Sequence, residues 1–451
     1  MTSAFLQWCD THGIDTSKIT ITTDEATDDR VVRAACDIAP GDVVLAVPFQ
    51  RCISTPGLRC GVTACPLDDD EGVDSSKQYF TPSERLAATL AKLRDDAERG
   101  QGEGVDYAPY VLGGLRDDII DGPVFTWTNQ EIAELQFARA IGNCAKTKVR
   151  DGKVMKKLRE TLPDASWVTK FSWALANTRS RAIDLERGES FLAPGLDMFN
   201  HSHANANVKW ESSAVGDAQH VHLKATSRVA AGEPLLVTYA CEPAESFLLH
   251  MGFVGGMNPF DRVELWGSLA EAADWFAETF KSENGEVVLD KAAAREAAEE
   301  LERQQRARER VAMVGLSSAG GATDDVSAEL KLREMQNLMF GPSVGWKMDY
   351  DEALWLMFRH FTQVLMPHEH ADHIVMHAIK KRCEELLISM PTTITEDEKI
   401  YADESTPKRL KLAAEFRMYK KALLIRHLQS DASVDGGEKI ENILLIYSVF
   451  R

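Results

Sequence analysis

Two short polar motifs in the stretch Phe191 to Phe253 have residue types and spacing that could do chemistry. The first is an Asp-x-x-Asn-His-Ser motif, made of Asp197, Asn200, His201 and Ser202. The second is one tyrosine, Tyr239, which follows the apolar segment Leu235 to Thr238. Amide and imidazole groups on a turn can bind a polar ligand, and a phenol at a strand end can orient an amine. Taken alone, the first motif is also typical of a capped turn, and the second is also typical of an aromatic at a sheet edge. The occurrence of both in one stretch is what defines a candidate site.

A histidine-rich segment in the C-terminal half is a second candidate for chemistry. Its members are His360, His368, His370, His373 and His377. The last three share one helical face, so a metal site is geometrically possible. Surface histidines on an amphipathic helix are commoner than metal ligands. We therefore expect no metal.

Composition limits the classes of partner. The chain has 451 residues and a hydrophobic fraction of 44%, which is typical of a globular protein. Its net charge of −19 predicts repulsion from nucleic acid and anionic membranes. A basic protein partner, such as a lysine-rich tail, suits this charge. The eight cysteines are dispersed and form no CxxC pair, which is typical of free thiols in a reducing compartment.

Localisation and assembly are predicted from what the sequence lacks. The N-terminal residues contain no basic segment followed by a long apolar run, and no stretch of about eighteen apolar residues occurs anywhere. We expect a cytoplasmic or nuclear protein. A monomer is expected because no sustained heptad pattern requires a second chain.

The elements that must position the motifs alternate between short strands and helices. Val31 to Ala35 and Val43 to Val47 are β-rich runs separated by a Pro-Gly turn signal, and they predict a β-hairpin. Residues 80 to 180 are mainly helical. Residues 190 to 255 return to short strands, and long helices follow from about residue 260.

Several runs of sequence resemble one family. The central runs are FSWALANTRSRAI (Phe171 to Ile183), LAPGLDMFNHS (Leu192 to Ser202), LLVTYA and MGFV. Outlying pieces are residues 33–48, 107–135 and 392–424. Together, and in this order, they resemble the SET-domain methyltransferases of the Rubisco large-subunit methyltransferase (LSMT) type.

The resemblance implies an α+β fold: a SET-domain fold of short strands with a helical insert, followed by an all-α C-terminal domain. The implied boundaries are 1–80 for the N-terminal part of the SET domain, 81–180 for the insert, 181–258 for the catalytic part of the SET domain, 259–430 for a helical substrate-binding domain and 431–451 for a tail. The implied activity is methyl transfer from S-adenosylmethionine to a protein side chain, usually a lysine of a non-histone protein.

The resemblance also assigns roles to residues of this chain. Asn200 and His201 would contact the methionine part of the cofactor, and Arg181 would reach the cofactor carboxylate or the channel beside it. Tyr239 would be the active-site tyrosine and Phe253 a cofactor wall. In addition, Asp197 would shape the site or hold the substrate.

Two departures from the family pattern leave the substrate open. The glycine-rich loop of the family is replaced by Asp28 to Arg33, which contains no glycine, and Arg33 is a candidate to bind the cofactor carboxylate. Met251, a candidate substrate contact, stands where many lysine-directed relatives have tyrosine. In this it resembles the branch that methylates a histidine in actin, where that position is not tyrosine either. The alternatives to a lysine methyltransferase are therefore a histidine methyltransferase and a non-catalytic, partner-binding SET protein.

Overall fold

The computed structural model divides the chain into two compact units. The first comprises Met1–Ile132, Gly142–Ala240 and Glu245–Met257, and the second comprises Ala133–Ile141, Cys241–Ala244 and Asn258–Arg451. The structure describes all residues except 1–2, 25–28, 56–60, 63–64, 68–78, 118–123, 185–189, 213–219, 281–288, 317–341, 367–368 and 430–451. Asp28 and the predicted tail 431–451 therefore lie outside the described residues.

Short strands and helices alternate in the first unit. Its strands are β1 (Ile19–Thr23), β2 (Arg30–Ala34), β3 (Val43–Pro48), β4 (Ile53–Ser54), β5 (Ile183–Asp184), β6 (Ser190–Leu192), β7 (Asn200–His201), β8 (Val208–Ser212), β9 (His220–Ala225) and β10 (Leu236–Val237). Its helices are α1 (Ser3–Thr11), α2 (Pro82–Arg99), α3 (Gly104–Ala108), α4 (Asn129–Ala133), α5 (Ala138–Thr161), α6 (Phe171–Arg181) and α7 (Ala244–Met251). A π-helical segment, Pro109–Gly114, follows α3.

The strands form small sheets rather than one large one. Two have three strands, in the orders β3-β9-β8 and β4-β6-β5, and β7 pairs with β10 in parallel. Side chains of the sheets and of α2, among them Leu86 and Leu90, are buried in a common core. The short strands with a helical insert confirm the predicted fold class of this part of the chain.

The predicted hairpin of Val31–Ala35 with Val43–Val47 is wrong. β2 pairs antiparallel with β1, and β3 pairs with β9. The other edge of β2 is also occupied, because the Leu235 N–H donates to the Val32 carbonyl at 2.8 Å. With both edges of β2 hydrogen-bonded elsewhere, β3 has no edge of β2 to pair with.

Two helices of the insert begin at capping boxes. At the start of α2, the Thr81 hydroxyl accepts from the Glu84 N–H, and the Glu84 carboxylate accepts from the Thr81 N–H. Thr128 and Glu131 make the same reciprocal pair before α4. These bonds satisfy N–H groups that have no partner inside the helix, which is why the chain becomes helical at these points.

The second unit is mainly helical. Its helices are α8 (Leu269–Thr279), α9 (Lys291–Leu316), α10 (Glu352–Leu365), α11 (Ala371–Ser389), α12 (Ile394–Ala402) and α13 (Lys408–Gln429). One antiparallel pair, β11 (Arg262–Glu264) with β12 (Ser343–Gly345), accompanies them. The predicted helical C-terminal region is thus confirmed, with one short β-pair added.

A buried ionic network joins the last two helices of the second unit. Asp397 on α12 is fully buried and accepts hydrogen bonds from Arg417 Nε at 2.8 Å and Lys421 Nζ at 2.5 Å. Arg417 also donates to the Glu134 carbonyl at 2.5 Å. Burial lowers the pKa of Lys421, and the Asp397 carboxylate opposes this shift. The network anchors α13 to α12 and to the segment that contains Glu134.

Two further features bear on the sequence predictions. Among the described helices, none is long and apolar enough to cross a membrane. Burial raises the pKa of Cys9, Cys144 and Cys383 to about 12, so these side chains are protonated thiols at neutral pH.

Candidate active site

The parallel pair β7–β10 brings the two sequence motifs together. Asn200 lies opposite Leu236, and His201 lies opposite Val237. Tyr239 follows β10 closely, and its backbone N–H donates to Nδ1 of His201 at 3.0 Å. Because Nδ1 accepts this bond, the proton of the neutral imidazole is on Nε2.

His201 is a neutral donor at physiological pH. Burial, followed by the charge of His203, lowers the pKa of His201 to about 4. Its Nε2 is buried and has no hydrogen-bond partner. A buried donor without a partner is uncommon in folded proteins and indicates a position that a ligand or water satisfies.

Tyr239 is a neutral phenol directed at the backbone. Its hydroxyl donates to the Phe199 carbonyl at 2.6 Å. Burial raises the pKa of Tyr239 to about 12; the nearby charge of Arg181 opposes this shift and that of Asp197 adds to it. Because the hydroxyl donates its hydrogen bond to the Phe199 carbonyl, the oxygen lone pairs are left to accept a hydrogen bond from an incoming N–H group.

Aromatic rings surround His201 and Tyr239. Directly after α7 comes Gly252, whose φ of 79° is in the left-handed region, and the Gly252 N–H donates to the Phe247 carbonyl at 3.0 Å. The chain therefore turns back, and the Phe253 ring lies 5.4 Å from Phe247, 6.0 Å from His201 and 6.3 Å from Tyr239. Phe247 stacks on His201 at 4.7 Å. Such a cluster can stabilise a positive charge.

Asp197 is buried, with both carboxylate oxygens hydrogen-bonded. Oδ2 accepts from the Tyr110 hydroxyl at 2.7 Å, and Oδ1 accepts from the Gly195 N–H at 3.1 Å. Burial raises the pKa of Asp197, and the charge of Arg181 is the largest opposing influence. Since both oxygens are engaged, the carboxylate is placed to shape the site.

Arg181 lies at the C-terminal end of α6, beside Asp197. Its Nη1 donates to the Asp197 carbonyl at 2.6 Å, while its Nε is buried without a hydrogen-bond partner. Thus Arg181, like His201, presents an unsatisfied donor.

Arg30 is hydrogen-bonded to Asn200 of the candidate site, whereas Arg33 is hydrogen-bonded to Gly232. Asn200 Nδ2 donates to the Arg30 carbonyl at 2.6 Å, and the Arg30 guanidinium donates to the Gly114 carbonyl at 2.7 Å. The Arg33 guanidinium instead donates to the carbonyl of Gly232 at 3.1 Å, on an exposed edge. A cofactor contact for Arg33 stays a prediction. Side chains alternate between the two faces of β2, so Arg30 lies on the same face as the buried Val32 and Arg33 lies on the opposite face. This alternation is the signal that would have favoured Arg30.

Met251 is the last residue of α7 and is half-buried beside Gly252. Its proposed contact with substrate stays a prediction.

Sequence reasoning missed four neighbours of the site: Tyr110, Arg30, His203 and Phe247. Phe247, one helical turn before Met251, could have been found by spacing. Tyr110 could not, because it is 87 residues from its partner Asp197.

Comparison with known families decides the interpretation of this geometry. The family model of the SET domain matches residues 29–240, and the one described as Rubisco LSMT substrate-binding matches residues 362–424. Together they cover more than half of the chain. The chain belongs to the SET-domain family, of the Rubisco LSMT-like type. As a SET-domain protein of this type, it is a protein methyltransferase of the S-adenosylmethionine-dependent class.

Solved structures of LSMT share the fold of this SET protein. The SET domain of LSMT bound to methyllysine and AdoHcy has a TM-score of 0.60 and 17% identity, and the match covers 98% of this chain and 100% of that chain. Rubisco LSMT bound to AdoMet has a TM-score of 0.58 and 16% identity over the same shares of both chains. No match is found among curated protein sequences.

The residues of this SET protein suit S-adenosylmethionine chemically. The buried Arg181 Nε and His201 Nε2 are both donors, and they fit a ligand that carries a carboxylate and ring nitrogens as acceptors. The faces of Phe253 and Phe247 fit a positively charged sulfonium. These groups would hold the cofactor.

The histidine-rich segment does not form a metal site among the residues that the structure describes, where no group of three or more His, Cys, Asp or Glu side chains is arranged to hold an ion. The His370 and His373 rings lie 5.3 Å apart, but His377 packs against Phe280. His368 lies outside the described residues.

Proposed function

We propose that this SET protein transfers a methyl group from S-adenosylmethionine to the ε-amine of a lysine in a non-histone protein. The observation that carries the proposal is the juxtaposition of three groups from separate segments: the neutral Tyr239 hydroxyl, the neutral His201 ring and the Phe253 ring. Each has the chemical character that amine methylation needs.

The chain's contribution to the reaction is positioning in an apolar surround. Only a neutral amine can attack, and an apolar surround favours the neutral form of a lysine. The Tyr239 hydroxyl donates to the Phe199 carbonyl, so its oxygen accepts a hydrogen bond from an N–H of the amine and thereby orients the amine lone pair. When bound, S-adenosylmethionine supplies the methyl group on a cationic sulfonium. The Phe253 and Phe247 faces stabilise that charge, and Arg181 and His201 donate to the cofactor.

Lysine and a non-histone protein are favoured by two observations. The LSMT structures of the same fold carry lysine, methyllysine or monomethyllysine. A Rubisco LSMT substrate-binding match, residues 362–424, accompanies the SET domain and supports recognition of a folded protein. The net charge of −19 suits a substrate with a basic surface.

The proposal is tested by identifying the methylated residue. The full chain is incubated with isotopically labelled S-adenosylmethionine and cell extract, and labelled peptides are sequenced by mass spectrometry. We expect labelled lysine, and a turnover lower by about 100-fold in Tyr239→Phe, because that change removes the group that orients the amine. The matched control is Tyr350→Phe in the second unit, where burial also raises the tyrosine pKa to about 12.

Three other results contradict the proposal in different ways. Labelled histidine without labelled lysine would make the chain a histidine methyltransferase. Unchanged labelling in Tyr239→Phe would remove the tyrosine from the reaction. An unlabelled extract, together with a wild-type protein that binds no S-adenosylmethionine, would favour a partner-binding protein.

A further inference from the structure

Tyr110 is a fully buried phenol that neither sequence motif contains. It lies in the π-helical segment Pro109–Gly114, where the Leu115 N–H donates to the Tyr110 carbonyl at 2.9 Å, a spacing of five residues. π-Helical turns are rare and occur frequently at functional sites. The wider turn directs the Tyr110 hydroxyl to Asp197.

The ring of Tyr110 is fixed by packing. Phe5 and Trp8 of α1 lie 5.9 and 6.4 Å from it. A Cβ added at Gly114 would come within 3.1 Å of the Tyr110 ring and 3.2 Å of the Phe5 ring. The ring therefore has little room to move, and its hydroxyl is held at one point.

From that point, hydrogen bonds lead to the groups that face the cofactor. The Tyr110 hydroxyl donates to Asp197 Oδ2, and the Asp197 backbone carbonyl accepts from Arg181. Asp197 belongs to the 3-10 turn Leu196–Met198, after which the chain enters the Asn200–His201 strand. A shift of Asp197 would therefore move both Arg181 and the start of β7.

We propose that Tyr110 is a positioning residue for the cofactor site, and that its hydroxyl fixes Asp197 so that Arg181 and the Asn200–His201 strand are held in the geometry that binds S-adenosylmethionine. This inference rests on the proposed function, because it assumes that the site binds this cofactor. Tyr110 touches neither Arg181 nor His201 in any described hydrogen bond. It acts through Asp197.

Because Asp197 can ionise, the proposed role of Tyr110 predicts a change in the pH dependence of cofactor binding. The charged and titratable groups that face the carboxylate are Arg181 on α6, Arg30 on β2, Tyr239 after β10, Cys9 on α1 and Tyr110 itself. Burial is the largest influence and raises the pKa of the Asp197 carboxyl, whereas the Tyr110 hydroxyl stabilises its ionised form. Loss of that hydroxyl raises the pKa further, so any property that depends on ionised Asp197 changes at a higher pH.

The test is a calorimetric titration of the full chain with S-adenosylmethionine across a range of pH. Tyr110→Phe keeps the ring and removes the hydroxyl, and we expect its affinity to fall about tenfold or more, as for a lost hydrogen bond to a charged group. The pH at which affinity changes is expected to move upward. The matched control is Tyr107→Phe, which lies on the preceding helix α3, is also buried, and has only a 3.5 Å contact from its hydroxyl to the Gln50 carbonyl. It is expected to bind as the wild type does at every pH.

A double-mutant cycle tests whether Tyr110 acts through Asp197. Asp197→Asn removes the ionisation, so the pH dependence assigned to Asp197 should disappear. In that background, Tyr110→Phe should lower the affinity for S-adenosylmethionine much less than it does in the wild type, because the two groups form one network. Additive effects, or an equal affinity of Tyr110→Phe and the wild type, would overturn the inference.

The two proposals fail in distinguishable ways. A wild-type protein that does not bind S-adenosylmethionine overturns the proposed function and the inference with it. A wild-type protein that binds, with a Tyr110→Phe variant that binds equally, overturns the inference alone. If Tyr110→Phe does not fold, the comparison of wild type with Asp197→Asn decides, and an identical pH dependence in both counts against the role of Asp197.

Discussion

At the scale of residues, burial keeps both His201 and Tyr239 neutral. The pKa of His201 is lowered to about 4 and that of Tyr239 is raised to about 12, in each case chiefly by removal from water. Neither group carries a charge near pH 7. His201 and Tyr239 therefore offer hydrogen bonds without adding a formal positive charge beside a cationic sulfonium, as an imidazolium would.

His201 makes the stability of the chain depend on pH. Its pKa in the folded state is below the ordinary value of 6.5, so between about pH 6.5 and pH 4 the unfolded chain binds more protons than the folded chain at this position. Stability must then fall as the pH falls through this window.

Replacing His201 should remove that dependence. His201→Asn keeps an acceptor for the Tyr239 N–H and removes the titration. We expect its free energy of unfolding to depend less on pH between 6.5 and 4, with a difference in slope of at most about 1.4 kcal/mol per pH unit. Urea unfolding at a series of pH values measures the slope, and equal slopes in both proteins would contradict a neutral, buried His201.

At the scale of elements, the site depends on how segments end and turn. Gly252 follows α7 in the left-handed region and turns the chain so that Phe253 lies beside the rings of His201 and Tyr239. Gly100, which ends α2 with a φ of 65°, has the same backbone requirement, but a Cβ there would meet nothing within 4 Å. Gly252 positions Phe253 of the candidate site, whereas Gly100 ends a helix of the insert.

These glycines make a matched pair for mutation. Gly252→Ala and Gly100→Ala should each lose about 1 kcal/mol of stability, because a Cβ is unfavourable in the left-handed region. Affinity for S-adenosylmethionine should fall in Gly252→Ala alone, because that variant alone disturbs Phe253. Thermal unfolding and calorimetry measure the two effects, and equal affinities in the two variants would count against Phe253 as a cofactor wall.

The sequence predicts elements better than it predicts their partners. Capping boxes at Thr81 and Thr128 are local signals, and both helices begin where these signals indicate. The pairing of β2 is not local: its edges are taken by β1 and by the segment before β10, and nothing in Val31–Ala35 itself specifies them. Ile19–Thr23 is rich in β-branched residues and could have been read as the missing strand.

At the scale of the whole molecule, the groups that we propose to hold the cofactor belong to the first unit. The second unit has its own core and its own buried ions, in which Asp397 is paired with Arg417 and Lys421. Asp197, Asn200, His201 and Ser202 were recognisable as one motif because they are close together in sequence. In contrast, Tyr110 and its partner Asp197 are 87 residues apart, so the proposed role of Tyr110 follows only from the three-dimensional arrangement.

The independence of the two cores can be tested by removing Asp397. Asp397→Ala leaves the buried Lys421 ammonium without its carboxylate and leaves Arg417 with Glu134 Oε2, at 3.3 Å, as its carboxylate partner, which should cost the second unit about 3–5 kcal/mol. Affinity of the folded protein for S-adenosylmethionine should be unchanged, since the network belongs to the second unit and the proposed cofactor-binding groups belong to the first. Limited proteolysis reports the stability of the second unit and calorimetry reports the affinity. A stable second unit, or a lost cofactor site, would contradict this division.

The most direct measurement of the central claim is a calorimetric titration of the wild-type chain and of Asn200→Ala with S-adenosylmethionine and S-adenosylhomocysteine. Asn200 begins β7 and its amide holds the Arg30 carbonyl, so its loss should disturb the cofactor site directly. We expect binding in the micromolar range for the wild type and an affinity lower by at least about tenfold in the variant. No binding of either compound by the wild type, or equal binding by both proteins, would contradict a cofactor site built on the Asn200–His201 strand.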